Sequence, residues 1–588
     1  MWPFQQTYKL YSPDEIHGRS FDYVVVGGGT AGCVLAARLS EDPQVTVLLL
    51  ERGPLVDSWK SRVPLLSVDF RSASSPTYQW KSTANSVSDE IPISSMVSGK
   101  ALGGTSKANA HIYTRSTPGE YNALEASGQQ GWGWDIVQRY FKRSENSRKH
   151  GTKIHRGSRG PWENGQLSEI AFAHVKQVLF AAEALGIPQR DDINDPSAPP
   201  FTCGLTDHTI NAGGRRVSTF DAFLPPELLA KRSNLFVCPQ AIVARLELKG
   251  SDRTIRATGV IFCADTGNDA LTEHYVTATS EIILCAGAIV TPQILMLSGI
   301  GPASHLNTFD KPVVKSLPGV GANLQDHPCV PLMYKVPRAD SLHEIENNPL
   351  VAAREFLRYL IAGRGLLLSP NPQMLIFALS KLLNEDSETR ASSEDEDSHS
   401  PSNIPDIEIT VVPYNVFDDS KLAPGEGVTT LTSMLLKPQS SGTIELASLD
   451  TRDRPICDLN YLQDPNDYVV LRKALRLGLA IGRKCREQGY PLRDFILPDS
   501  ESDEDLDRYI RKNVRTTFHY SSTCKMAPES EGGVVDNELR VWGVQGLRIA
   551  DASVFPSVPA AHPQAPVVMV AERCADFIKT ARQHGSGR

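Results

Sequence analysis

Residues 21–26 form an apolar run of strand length that stops at three consecutive glycines, residues 31–39 are small and helix-compatible, and residues 45–50 are apolar again. The pattern predicts a βαβ unit. Further apolar runs predict strands at 235–238, 241–248, 259–263 and 281–285, the last fully buried. Residues 292–297 predict a short helix with Pro292 in its first turn, 467–485 an amphipathic helix, and 567–580 a closing helix started by Pro566. From 331 to about 536 the texture changes to mixed strands and amphipathic helices, which predicts a second lobe. Inside it, residues 384–403 are so rich in Ser, Glu and Asp that we expect a disordered, solvated loop.

The turn Gly27-Gly28-Gly29-Thr30-Ala31-Gly32 sits where a dinucleotide's phosphates would lie. Gly27 permits the tight turn, Gly29 lets backbone approach a pyrophosphate, and Gly32 lets the helix pack closely on the strand. Thr30 and Ala31 open that helix, so their amides would face the phosphates. Glu51 follows Gly32 by nineteen residues, at the end of the second strand, where a carboxylate can accept from ribose hydroxyls; Arg52 is next to it.

Bulk properties narrow the partners. A net charge of −8 gives no electrostatic footprint for nucleic acid or an anionic membrane. No run reaches transmembrane length, residues 1–20 lack an apolar signal core, and no Asn-x-Ser/Thr sequon occurs. We therefore expect a cytoplasmic protein. The ten cysteines lack C-x-x-C or zinc spacing and are expected as reduced thiols, with no metal site.

Residues 99–109 pack three glycines with Thr105 and Ser106, and residues 287–301 run from Gly287-Ala288 to Ser298-Gly299-Ile300-Gly301. Together they resemble the two signatures of the glucose-methanol-choline (GMC) oxidoreductase family, flavoproteins that bind FAD through an amino-terminal fingerprint like that at Gly27. The second signature matches at every constrained position; the first departs at Ala108, where a larger aliphatic residue is usual. The likeness continues through Arg115, 131–145, 319–327, 548–554 and 571–572, nearly the whole chain.

That resemblance implies an α/β fold: a Rossmann-like FAD-binding domain (1–60, 90–165, 230–330 and 536–588) with a second, α+β substrate-binding domain (61–89, 166–229 and 331–535). It implies FAD contacts at Gly103, Thr105, Asn109, Ala110, Val243, Asp551, Ala552 and Gln564. Some relatives attach FAD through a histidine at the position of Ala108, so binding here is expected to be non-covalent. The implied reaction is oxidation of an alcohol by hydride transfer to flavin N5, with oxygen or another electron acceptor completing the cycle. His519 matches the first catalytic position and His562 the second. We expect His519 to be the base and His562 to orient the substrate oxygen, because an alcohol C–H becomes hydridic only as the hydroxyl proton leaves. A His-His pair resembles that of aryl-alcohol oxidases, which favours primary aromatic or hydrophobic alcohols. His111 and His327 are read as structural. Tyr520 and Ser522 replace a usual proline and glycine, where the pocket would be reshaped. The alternative is a non-redox enzyme on the same scaffold, a lyase or cyclase retaining FAD. The oligomeric state is not legible.

Overall fold

The computed structural model describes residues 8–68, 75–167, 169–251, 254–265, 272–369, 371–417, 422–423 and 425–585. Residues 1–7 of the stretch read for a leader lie outside these. Strand Ser20–Val26 runs parallel to Val47–Leu50 and Glu273–Leu284, with Val26 opposite both Leu50 and Leu284. Leu235–Cys238 and Leu547–Ile549 add in parallel, and Arg256–Ala264 and Ala241–Lys249 complete a seven-stranded sheet in antiparallel fashion. Parallel strands are covered on both faces, which is why their runs read as continuously apolar. Val24, Val25, Leu48, Leu49, Ile282 and Ile283 are all fully buried.

Helix Thr30–Leu39 covers this sheet, and helix Gln564–Gly585 packs on that helix. The buried Glu572 carboxylate joins them, taking Arg38 Nη2 at 2.7 Å and Arg143 Nε at 2.7 Å. A second seven-stranded sheet is antiparallel, in the order Arg493–Ile496, Pro328–Pro337, Glu426–Leu435, Ile407–Val412, Met374–Ala378 and Thr202–Leu205, with Arg515–Thr516 also on Pro328–Pro337. Helix Pro465–Glu487 packs across it. Strand Pro328–Pro337 lies wholly in this sheet and crosses the division expected between residues 330 and 331.

Two expectations are corrected. The helix expected at 292–297 starts at Gly287 and ends at Leu297, leaving Pro292 inside it rather than in its first turn. A proline there removes the N–H that would bond the Ala288 carbonyl. The Thr523 hydroxyl takes that carbonyl instead, at 2.6 Å. Residues 384–403, expected to be disordered, are docked. The Ser398 carbonyl accepts Gly119 N–H at 2.7 Å and the His399 carbonyl accepts Asn122 Nδ2 at 2.9 Å, both on helix Pro118–Ala126. Asn403, buried, ties the segment to itself through the Glu394 and Asp397 carbonyls. Composition counts apolar burial only, and this segment is held by backbone polar groups.

Candidate active site

Four of the five parallel strands of the first sheet end at one cavity of about 430 Å³. Val26 and Gly27, Leu50 and Glu51, Cys285 to Gly287, and Asp551 line it, the position where open parallel sheets bind ligands. The three glycines of the turn differ in what they permit. Gly27 has φ +100, and a Cβ there would lie 2.5 Å from the Cys285 carbonyl oxygen; a Cβ on Gly32 would lie 1.9 Å from the Gly27 oxygen. At Gly29, by contrast, a Cβ would meet nothing closer than 3.8 Å. Packing therefore requires Gly27 and Gly32, whereas the bare edge of Gly29 is turned to the cavity. Gly29 is also the cap of helix Thr30–Leu39 and offers no side-chain acceptor to the first-turn amides. Those amides are left for an anionic ligand.

At this end Glu51 is buried and accepts from Gly28 N–H at 2.8 Å and Gly53 N–H at 2.6 Å; burial pushes its carboxyl up to about 7. The Tyr78 hydroxyl is buried without a hydrogen-bond partner on the cavity wall, where Arg52 Nε, 3.6 Å from Asp265 Oδ2, also lacks a hydrogen bond. Buried polar atoms left unsatisfied are costly, which suits a polar ligand at this end. Asp551 closes the neighbouring turn, accepting Gly287 N–H at 2.9 Å, Thr291 Oγ1 at 2.6 Å and Ser553 N–H at 2.8 Å.

At the other end the rings of His519 and His562 stand 4.7 Å apart between centroids at 80°. The His519 backbone N–H donates to Asp326 Oδ1 at 2.7 Å, and that oxygen also takes the N–H of His327 at 2.9 Å. His519 Nδ1 faces His327 Nδ1 at 2.9 Å and Thr517 Oγ1 at 3.2 Å. The Thr517 hydroxyl already donates to the His327 carbonyl at 2.8 Å, so it can only accept from His519. With the His519 proton on Nδ1 toward Thr517, His327 Nδ1 accepts, which leaves the His327 N–H on Nε2, buried without a hydrogen-bond partner; burial keeps this imidazole neutral. This chain assigns the His519 proton to Nδ1 and the lone pair to Nε2. Burial, ahead of the charges of His562 and His327, holds His519 well below the ordinary histidine range. His562 is fixed separately: its N–H bonds Thr114 Oγ1 at 2.9 Å and its Nε2 lies 2.9 Å from Glu408 Oε1. Glu408 is fully buried on strand Ile407–Val412, and its Oε2 has no partner.

The sequence candidates Gly27, Gly29, Thr30, Ala31, Glu51, Arg52, Thr105, Asn109, Ala110, Val243, Asp551, Ala552 and Gln564 line this one cavity with His519 and His562. Gly32 and Gly103 lie behind the wall, Gly103 donating its N–H to the Gly28 carbonyl at 2.8 Å. Asn109 Nδ2 donates to Gln564 Oε1 at 2.9 Å, tying the first signature to the start of helix Gln564–Gly585. His111 is buried off the cavity, with Nε2 near the Pro64 carbonyl at 3.3 Å. His327, read as structural, is buried with its ring against that of His519. Glu408 escaped the sequence altogether; only its place within an apolar strand, Ile-Glu-Ile, marked it as a buried charge. Tyr520 lines the cavity, and Ser522 has φ +74 with its buried hydroxyl unpartnered. Among the described residues, His150, Asp192 and Asp207 form one cluster with metal-ligand spacing, and Arg156 already pairs with both aspartates, at 2.7 and 2.8 Å.

Residues 21–329 match the amino-terminal part and residues 438–571 the carboxy-terminal part of the GMC oxidoreductase family. The chain belongs to the GMC oxidoreductase family. This GMC oxidoreductase is 34% identical to dehydrogenase str4 of Strobilurus tenacellus over 95% of its own length and 94% of that protein's. It is 33% identical to the mitochondrial choline dehydrogenase of Mus musculus, over 95% and 89% of the two chains. A formate oxidase from Aspergillus oryzae RIB40 superposes with a TM-score of 0.83 at 27% identity, over 97% of this chain and 99% of that one. FAD is the cofactor of this GMC oxidoreductase, and the glycine turn, the waiting amides and the unpartnered Tyr78 hydroxyl fit its nucleotide half.

Proposed function

We propose that this enzyme oxidises the CH–OH group of a primary alcohol bearing an aromatic or other hydrophobic group. The observation that carries the proposal is the facing pair His519 and His562 on the wall of the cavity that also contains the glycine turn. Neutral His519 uses Nε2 to take the hydroxyl proton while Nδ1 stays bonded to His327. His562, held through Nε2 by Glu408, orients the same oxygen and reduces the orientational part of the barrier. Bound FAD would supply the acceptor for the hydrogen and two electrons leaving the carbinol carbon. Gly29, Thr30 and Ala31 would hold its pyrophosphate, Glu51, Arg52 and Val243 its adenosine, and Thr105, Asn109, Ala110, Asp551, Ala552 and Gln564 its remainder. The start of helix Gln564–Gly585 on the cavity wall supplies positive potential where negative charge develops.

The substrate class rests on the lining of the second lobe, where Val412, Tyr414, Met434, Phe518 and Tyr520 contribute apolar and aromatic surface. The cavity's lining carboxylates among the described residues are Glu51 and Asp551, both already bonded to backbone amides of the glycine turns. A cationic alcohol such as choline therefore meets no acidic partner on that lining. Steady-state kcat/KM with oxygen and with a quinone acceptor, compared across aryl, aliphatic, sugar and choline substrates, tests this. Aryl or aliphatic primary alcohols should lead by at least about tenfold; a sugar or choline as the best substrate would refute the substrate class.

A further inference from the structure

Helix Pro349–Ala362 has its polarity inverted. Of its fourteen residues Glu355 alone is buried, whereas Leu350, Leu357, Leu360 and Ile361 are 82%, 53%, 54% and 81% exposed. A surface helix normally turns its apolar stripe inward and its charges outward. Here the inward position holds a carboxylate that accepts from Arg354, Arg358 and the Leu366 N–H. Helical spacing sets Leu350, Leu357 and Ile361 on one outward face. Phe356, 41% exposed, meets the edge of the Trp59 ring at 5.6 Å between centroids, and Trp59, 47% exposed, widens the patch. Scattered exposed apolar residues are ordinary, but six gathered on this helix and the start of the adjoining helix Trp59–Arg62 are not.

Arginines rim this patch. Arg354, Arg358 and Arg364 are exposed, Arg354 and Arg358 share the one Glu355 carboxylate, and Arg358 also lies 3.7 Å from Glu169. On a chain of net charge −8 this is a local cationic and apolar face, which the whole-chain average conceals. We propose that it docks on an anionic lipid surface, with the helix lying in the interface plane. Apolar side chains entering the acyl boundary between arginines that meet anionic headgroups is the chemistry of such helices. A second copy of the chain fits less well. Six apolar residues fall short of the roughly 20–30 residues a side in a stable interface, and a two-fold contact would bring the arginines of the two copies together. At fourteen residues, about 21 Å, the helix is too short to span, and among the described residues no helix is long and apolar enough to cross a membrane. The turn Leu366–Leu368 leads from this helix to Asn371 and Pro372 on the cavity wall, so docking would bring that wall toward the lipid.

Co-sedimentation of the holoenzyme with phosphatidylcholine vesicles, with and without phosphatidylserine, at low and high salt tests the proposal. Binding to the anionic vesicles alone, weakened by salt, is expected. Leu357→Glu and Ile361→Glu should each weaken it at least about tenfold while flavin absorbance and turnover of a water-soluble alcohol stay unchanged. No binding to anionic vesicles, or equal binding to neutral ones, overturns it. So does a dimer in gel filtration that Leu357→Glu converts to monomer, which would assign the face to a second copy.

Discussion

His519 depends on a side chain 192 residues away in sequence, since its Nδ1 is held by His327. A neutral imidazole in that place orients the base as a carboxylate would, without adding a charge that would make it more basic. His327→Ala is expected to lower kcat about ten- to a hundredfold with little change in KM, because misplacement of a reacting group costs on that scale. His327→Asn, whose amide oxygen can accept the Nδ1 proton, should recover most of the loss. Unchanged kcat in His327→Ala would mean that Thr517 and Asp326 alone hold the base. The unprotonated ring is the working form and its proton affinity is depressed by burial. In the wild type, kcat/KM should therefore stay level as pH falls through about 6.5 and decline only below it. The two candidate histidines were legible as a pair because each sits in a motif that resembles a known one. The contacts that hold them in place were not, since Glu408 and His562 are 154 residues apart and no local pattern records such a pairing. The unusual Ser522 was visible as a departure, whereas its left-handed backbone at φ +74 was not.

At the scale of elements, the βαβ unit was read within a few residues, because strand burial and helix packing each leave a periodic trace. The Pro292 helix and the docked segment 384–403 were misread for a shared reason: both are held by polar partners far away in sequence, Thr523 in one case and Gly119 and Asn122 in the other. The glycine turn makes a divided prediction. Gly32→Ala places a Cβ 1.9 Å from the Gly27 oxygen, so the helix must shift; thermal unfolding of the FAD-free protein should show a loss of about 1–3 kcal/mol or more. Gly29→Val should leave the FAD-free protein as stable as wild type and fail to retain FAD through purification. If Gly29→Val retains FAD at full occupancy, the phosphates do not lie on this turn.

At the scale of the whole molecule, the two sheets each contribute one wall of a single cavity, the parallel one through its glycine turns and the antiparallel one through Thr410 and Val412. The carboxy-terminal stretch that carries His519 and His562 runs between them. The change in texture after residue 331 marked most of the second sheet; that the two sheets meet at the histidines left no such trace, because juxtaposition of distant segments has no periodicity. We propose that this juxtaposition makes His519 the base for alcohol oxidation. Its most direct measurement is the rate at which an aryl alcohol bleaches the oxidised flavin band in anaerobic stopped flow, for wild type and His519→Ala. The account predicts full FAD content in both proteins and bleaching slower by about 10²–10⁴-fold in the variant. Equal rates, or no bleaching of the wild type by any alcohol, would contradict it.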